Sequence, residues 1–453
     1  NVNQNADAWK LDYRKYHDLW IPKFDFLGLS TVGIIDKTCK LIEKKFPKTY
    51  EVDWEDQNVF NDISKDSTGI FQFESDFAKQ SIQKMQPKSV EDICLTSACI
   101  RPSGESYREE VFEHKYHKNP SPLIDNILGN SYGRLVYQEQ TIAFLQQVCG
   151  FSGSEADNVR RGIGMKKKEL IDAAMPKILD GYCKNSDKPR EVAEQEAKEF
   201  LQVIEDSSSY SFGYNHAMGY AMLSYIEGYL RYYHTTEFCT SYLNCAKTDE
   251  DISRGTNLAL DKGCKIVSPK FRHSSSEYGC DGDNKIIYKG IGSIKDIGQE
   301  TGDRLATLNN FQGSFVDLLY IICPVKKKGK PTQPALAKKN EIKILIKIGY
   351  FEEFGSTKKL LRVFDLFRTL ADKKNIKKDT AEALGLSPEL IMQFAETESP
   401  TQFSKVNIHM MLNSVYNSFK DDKDDIFTRA GNSAKILGYC SEKDESLDWK
   451  YCV

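Results

Sequence analysis

Lys23 and Asp25 put an ammonium and a carboxylate two positions apart in Lys23-Phe24-Asp25-Phe26-Leu27-Gly28-Leu29. On a strand, alternate side chains share a face, so the two would point the same way roughly 6–7 Å apart, with Phe24 and Phe26 turned to a core. Such a pair could hold a metal ion and an anionic phosphate. The plainer possibility is a structural ion pair, since these outnumber active sites.

A second group runs from Ser152 to Lys168. Ser152 and Glu155 have capping-box spacing. Arg160 and Arg161 follow, Gly162 and Gly164 interrupt the helix, and Lys166, Lys167 and Lys168 close the run. Cations this crowded repel one another unless a polyanion lies among them. Arginine forks grip phosphate oxygens in pairs, and lysine adds point charge. A solvated cationic helix end is the alternative. In a third stretch, Ser209 to Tyr233, His216 could donate to a phosphate or simply cap a turn. Tyr225, Tyr229, Tyr232 and Tyr233 recur at helical spacing and suit a core or an interface. In the fourth, Gly290-Ile291-Gly292 reads as the turn of a helix-hairpin-helix whose backbone N–H groups approach a DNA phosphate, with Lys295 adding charge. Leu345 to Phe351 could close a second, degenerate unit.

The elements that must position these groups are mostly helices. Residues 23–28 suit a short strand, and Ser30-Thr31 can cap a helix with Ile34, Ile35, Cys39 and Ile42 on one face. Helical spacing recurs over 75–85, 139–149, 155–161, 167–183, 192–205 and 216–243. Residues 278–280 and 286–288 flank Asp281-Gly282-Asp283-Asn284 and read as a hairpin. The fold class expected is mainly α with small β elements (α+β), in several domains.

Composition narrows the class. The 453 residues suggest two to four domains at about 150 residues each. Hydrophobic residues at 40% can fill several cores, and 28% charged residues keep the surface wet. The net charge of −3 conceals local basic runs: Lys326 to Lys330, which Gly329 and Pro331 mark as a solvated turn, and Lys374, Lys377 and Lys378. No apolar run approaches the roughly 20 residues that span a bilayer, and the first residues carry no leader pattern, so a cytoplasmic protein without membrane contact is expected. The 12 cysteines are scattered with no C-x-x-C, which favours neither a zinc site nor a disulfide framework.

Taken in order, the motifs resemble those of C-family bacterial replicative DNA polymerases, the alpha subunit of DNA polymerase III. The resemblance runs through Lys23 to Leu29, Thr68-Gly69-Ile70-Phe71-Gln72-Phe73-Glu74-Ser75, Arg101-Pro102 and Tyr132 to Gln140. It continues through Glu155-Ala156-Asp157, Arg160-Arg161 and Lys166 to Lys168, then Phe212, His216, Tyr220, Ser224-Tyr225 and Gly290 to Lys295. It covers residues 15–302 well and 313–355 faintly. Each motif is short, but the ordered set is specific, and it outweighs the plainer readings of Asp25 and of the Arg/Lys run.

The resemblance implies a two-metal nucleotidyltransferase engaged in DNA-templated DNA synthesis, in which palm carboxylates hold two Mg²⁺ ions. Asp25 matches the third of those carboxylates. Lys23, Arg160, Arg161, Lys166, Lys167 and His216 match positions facing the incoming dNTP, and Gly290, Ile291, Gly292 and Lys295 match DNA contacts. The implied partners are primer–template DNA, dNTPs, a sliding clamp, and a polypeptide or upstream segment carrying the rest of the palm. The implied layout is palm remnant over 1–32, fingers over 33–255, tandem helix-hairpin-helix over 256–371, clamp-binding region or linker over 372–430, and the truncated start of an OB fold over 431–453.

Several departures stand out. No Asp-x-Asp precedes Asp25, so most of the palm is expected to be absent. A family lysine is replaced by Tyr214, and Arg-Pro-Gly-Pro is Arg101-Pro102-Ser103-Gly104. The clamp peptide would rest on Ile426 and Phe427 without the usual glutamine. Drift of this kind points to a divergent relative, such as a phage would encode in an infected bacterial host. The alternative function is a non-catalytic DNA-binding or clamp-tethered accessory remnant.

Overall fold

Apolar residues at every third or fourth position dominate the chain, and these stretches fold as helices around four hydrophobic clusters. The computed structural model describes residues 28–45, 51–207, 212–294, 296–325, 334–421, 431–432 and 435–436. Lys23, Asp25, Lys295, Ile426 and Phe427 lie outside the described residues, as do the strand expected at 23–27 and most of 431–453.

The first cluster joins helix Ser30–Leu41 to helices Thr235–Cys245 and Asp249–Asp261 through Ile34, Ile35, Cys39, Phe238 and Leu258. The cap expected of Ser30-Thr31 does not form. Leu29 stands at the N-cap without a side-chain bond, and Thr31 is buried, its hydroxyl bonded to the Glu227 carboxyl.

The second cluster is organised by helix Tyr214–Tyr233, which lies against Val90–Cys99 and Gln57–Lys65. Ala217, Ala221 and Tyr225 repeat every four residues on its buried face. Gly228 lets the Gln57–Lys65 helix come close, because a Cβ there would stand 2.5 Å from the Ile63 side chain. The single helix expected over 216–243 breaks at His234 (φ −132°, ψ 53°). That bend returns Thr235–Cys245 to the first cluster.

The third cluster gathers helices Gln138–Ala143, Gly153–Gly164, Lys168–Asn185 and Arg190–Ser207, the first continuing as a π-turn over Phe144–Val148. Gly162 does not interrupt its helix. It is packed against Leu170 of the following helix, whose Cβ would lie 3.0 Å from an added Cβ.

The expected hairpin forms. Strand Gly279–Asp281 runs antiparallel to Ile286–Tyr288, with Cys280 opposite Ile287, and Lys265–Val267 adds a parallel third strand. Ile287 is buried in the first cluster, so no change of core falls at residue 255. The fourth cluster runs from Phe271 to Leu412. Within it, residues 372–412 pack with the Thr357–Leu370 helix through Ile376, Ile391, Phe403 and Met411, and carry their own three-stranded sheet. This part is folded core, not linker.

Candidate functional site

The cationic run is built around a helix that starts firmly and ends in a turn. Ser152 accepts from the Glu155 amide while the Glu155 carboxylate takes the Ser152 amide. That amide bond, with Lys177 behind it, holds the Glu155 pKa down at about 2. Two residues further on, Asp157 holds both arginines. Its Oδ1 takes Arg160 Nε at 3.0 Å and Nη2 at 2.9 Å, and its Oδ2 takes Arg161 Nη2 at 2.9 Å. The Arg160 bond is the main reason its carboxyl sits below the ordinary range. Arg160 is half-buried, whereas Arg161 is 63% exposed.

The helix then stops. Lys166 takes a left-handed conformation (φ 54°) and Lys167 N–H reaches back to the Gly162 carbonyl at 2.9 Å, a C-terminal motif more often completed by glycine. Lys167 is also the N-cap of the Lys168–Asn185 helix. The turn therefore presents Lys166, Lys167 and Lys168 together to solvent, and none pairs with a carboxylate among the described residues.

Arg160 has a second anchor. Its Nη1 donates to Gln138 Oε1 at 3.0 Å. The Gln138 amide donates to the Phe212 carbonyl at 3.1 Å, and Phe212 bridges Tyr137 in parallel. Phe212 meets the His216 ring at 5.3 Å, and His216 meets Tyr220 at 4.2 Å. The structure thus brings Arg160 and His216, expected from sequence, onto one continuous strip, with exposed Arg161 and the lysine turn beside it. His216 is exposed, and its imidazole makes no hydrogen bond with another described residue. Tyr214 turns away, packing edge-on against Tyr137 at 5.2 Å, and its amide is taken by Glu139 Oε2 at 2.8 Å. The first amide of that helix is therefore already satisfied by a carboxylate.

Other participants had no role assigned from sequence. Arg101 lies over the Phe212 ring at 5.1 Å and donates to Gln72 Oε1 at 2.8 Å. Gln138 and Gln72 are uncharged and sit inside ordinary helix and loop patterns. Only their membership of the Tyr132–Gln140 and Thr68–Ser75 motifs could have flagged them.

The turn at Gly290-Ile291-Gly292 is a correction. A strand, not a helix, precedes it. The Ile291 and Gly292 amides donate to the Ser275 and Ser276 carbonyls at 2.9 and 3.0 Å, and Ile291 is fully buried. Gly290 is required because a Cβ would meet the Ser276 and Glu277 backbone at 2.4 Å. These amides serve packing and are not offered to a phosphate. The short helical pair lies one step on: a 3₁₀ turn Ile291–Ser293, then Asp296 (φ 69°) to Gly298, then helix Gln299–Ala306. At that helix start, buried Glu341 accepts from the Gly298 amide at 3.3 Å and the Thr301 hydroxyl at 3.2 Å. The stretch expected to close a second unit holds helix Lys339–Lys347, Gly349 (φ 75°) and helix Thr357–Leu370.

Among the described residues, no three His, Cys, Asp or Glu side chains converge where a metal could sit. No helix among them is long and apolar enough to cross a membrane.

Residues 31–186 match the bacterial DNA polymerase III alpha subunit finger domain. The chain is 29% identical over 348 residues to a DNA polymerase III subunit alpha from Ureaplasma parvum, covering 74% of this chain and 34% of that protein. It is 29% identical over 400 residues to the Campylobacter jejuni subunit, covering 83% and 32%, and 28% identical over 358 residues to that of Aquifex aeolicus, covering 76% and 30%. The chain thus spans about a third of the length of the curated relatives it matches.

Proposed function

We propose, from the premise that this chain is a member of the C-family of replicative DNA polymerases and carries their finger domain, that it takes part in DNA-templated DNA synthesis. Arg160, Arg161, Lys166 and Lys167 receive the triphosphate of an incoming dNTP, with His216 beside them. Asp25, with Lys23 near it, contributes one of the carboxylates that hold Mg²⁺. The others come from a segment carrying the rest of the palm.

The observation that carries this reading is the Arg160–Gln138–Phe212–His216 connection beside an unpaired lysine turn. Negative charge grows on the phosphates during nucleotidyl transfer. Cations already fixed there stabilise that charge without reorganising. Arg160, anchored at three nitrogens, is fixed. Arg161, exposed though paired with Asp157, and the unpaired lysines stand where they can close around a polyphosphate. Primer–template DNA is the macromolecular partner, and a sliding clamp would meet the chain near Ile426 and Phe427.

The test is a titration of the chain with a labelled deoxynucleoside triphosphate, followed by primer extension once a polypeptide bearing the remaining palm carboxylates is added. Arg160→Ala should weaken triphosphate binding at least tenfold, and Asp25→Ala should abolish extension while binding persists. Extension that survives Asp25→Ala would overturn the catalytic reading. Tight duplex binding that no added triphosphate or second polypeptide alters would favour an accessory DNA-binding role.

A further inference from the structure

Five contacts close a ring around the exposed histidine. Arg101 lies over Phe212 at 5.1 Å, and Phe212 meets His216 at 5.3 Å and 70°. His216 meets Tyr220 at 4.2 Å and 62°, and Tyr220 meets Phe71 at 5.1 Å, edge to face. Gln72, next to Phe71, accepts from Arg101 Nη2 at 2.8 Å and completes the circuit. Three separate chain segments contribute, and each is held by its backbone. Phe71 N–H donates to Glu227 at 2.7 Å, and the Phe71 carbonyl accepts from Ser224 at 2.9 Å. Gln72 adopts φ 70°, a conformation seldom taken by non-glycine residues. Gly104 secures the Arg-Pro turn, because a Cβ there would stand 2.2 Å from the Cys99 carbonyl oxygen.

Arg101 is an unexpected choice for packing alone. Its Nε is buried without a hydrogen-bond partner, and no carboxylate pairs with it among the described residues. A buried, unanswered N–H is unfavourable. An apolar side chain could cover Phe212 without that penalty, but it could not both stack over the ring and donate to Gln72. A planar guanidinium does both.

We propose that Arg101 is a positioning residue for His216, acting through Phe212, with Gln72 setting the angle of the guanidinium. The exposed imidazole is held between the rings of Phe212 and Tyr220, which limits the orientations it can take. This rests on the reading that His216 faces the nucleotide.

The experiment compares Arg101→Ala, Arg101→Lys, His216→Ala and the double variant Arg101→Ala/His216→Ala, titrating each full chain with a labelled deoxynucleoside triphosphate. The ¹H–¹³C signal of the His216 imidazole is recorded without nucleotide. Arg101→Ala should weaken binding about fivefold, and Arg101→Lys should recover little, since lysine keeps the charge but not the plane. In the His216→Ala background, Arg101→Ala should cost nothing further. The imidazole signal should move in Arg101→Ala and, to a smaller extent, in Gln72→Ala, the milder change that serves if Arg101→Ala does not fold. Additive losses, or an imidazole signal that stays in place, would overturn the proposal. A signal that moves in a chain whose wild type binds no triphosphate would support the ring while removing the nucleotide reading.

Discussion

Arg160 and Gln138 meet side chain to side chain at 3.0 Å across two helices, and the backbone of Gln138 is bonded to Phe212. The guanidinium is therefore fixed relative to the His216 strip and not only to its own helix. A charge-assisted hydrogen bond is worth about 1.5–3 kcal/mol, or roughly one to two orders of magnitude in affinity. Gln138→Ala should thus weaken labelled triphosphate binding only a few-fold, because Asp157 still holds Arg160. Arg160→Ala should cost at least ten times. Fluorescence anisotropy of both variants checks this, and equal losses would show that Gln138 does more than orient its partner.

Asp157 compensates two arginines at once. Replacing it with asparagine keeps an oxygen near Arg160 and removes the charge. Asp157→Asn should therefore tighten binding of inorganic pyrophosphate by about two- to fivefold at low salt, and the gain should fade near 1 M salt, where screening acts over about 3 Å. Calorimetry at two ionic strengths measures it. A loss of affinity at low salt would mean that holding the arginines in place outweighs neutralising them.

Much of the frame was legible in the sequence, for physical reasons that differ by place. The Ser152/Glu155 box, the Arg160-Arg161 pair and the Asp281–Asn284 hairpin each depend on neighbours within a few residues, and local chemistry decided them. The ring at His216 depends on Arg101, Gln72 and Phe71, more than 100 residues away, and no local pattern encodes that meeting. Gly290-Ile291-Gly292 misled because a glycine pair marks close backbone approach without saying what approaches; here it is Ser276 and Glu277. The break at His234 had no Pro or Gly to announce it, since tertiary packing ends that helix. The packed stretch 372–412 was hidden by its charge, which lies on its outer face.

Arg231 is fully buried, and its fork ties four acceptor groups, the Asp62 carboxylate and the carbonyls of Asp62, Asp66 and Thr68. Nε and Nη2 reach Asp62 Oδ2 at 3.0 and 2.7 Å, Nη1 reaches the Thr68 carbonyl at 2.6 Å, and Nη2 reaches that of Asp66 at 2.6 Å. Lys262 also pairs with Asp62. Arg231→Met keeps the volume but leaves acceptors unanswered in a dry site. Breaking a buried pair from one side typically costs about 3–5 kcal/mol. Urea unfolding should show a loss of that size at unchanged slope, and Arg231→Lys should recover only part of it, since one ammonium cannot span all four acceptors. Because Thr68 opens the loop that carries Phe71 and Gln72, the methionine variant should also loosen the ring at His216.

Glu227 is enclosed, accepting from the Phe71 amide at 2.7 Å and from Thr31. Burial is the chief cause that pushes its carboxyl well above the ordinary value of 4.5, and nearby Glu74 adds to it, while the Phe71 bond and Arg231 pull the other way. The folded state therefore favours the proton, whereas the unfolded chain releases it near pH 4.5. The sign follows from that difference. The stability contributed by this group is complete below the unfolded pKa and is lost as pH rises toward the folded one. Glu227→Gln mimics the neutral acid, keeping an oxygen for Phe71 while carrying no titratable proton. Its melting temperature should match the wild type near pH 4 and exceed it as pH rises above 4.5, the gap levelling off once the folded carboxyl ionises. Thermal melts at each pH measure the gap. If the two curves run parallel across that range, the carboxyl is ionised in the folded chain and Thr31 with Phe71 must be binding a charge.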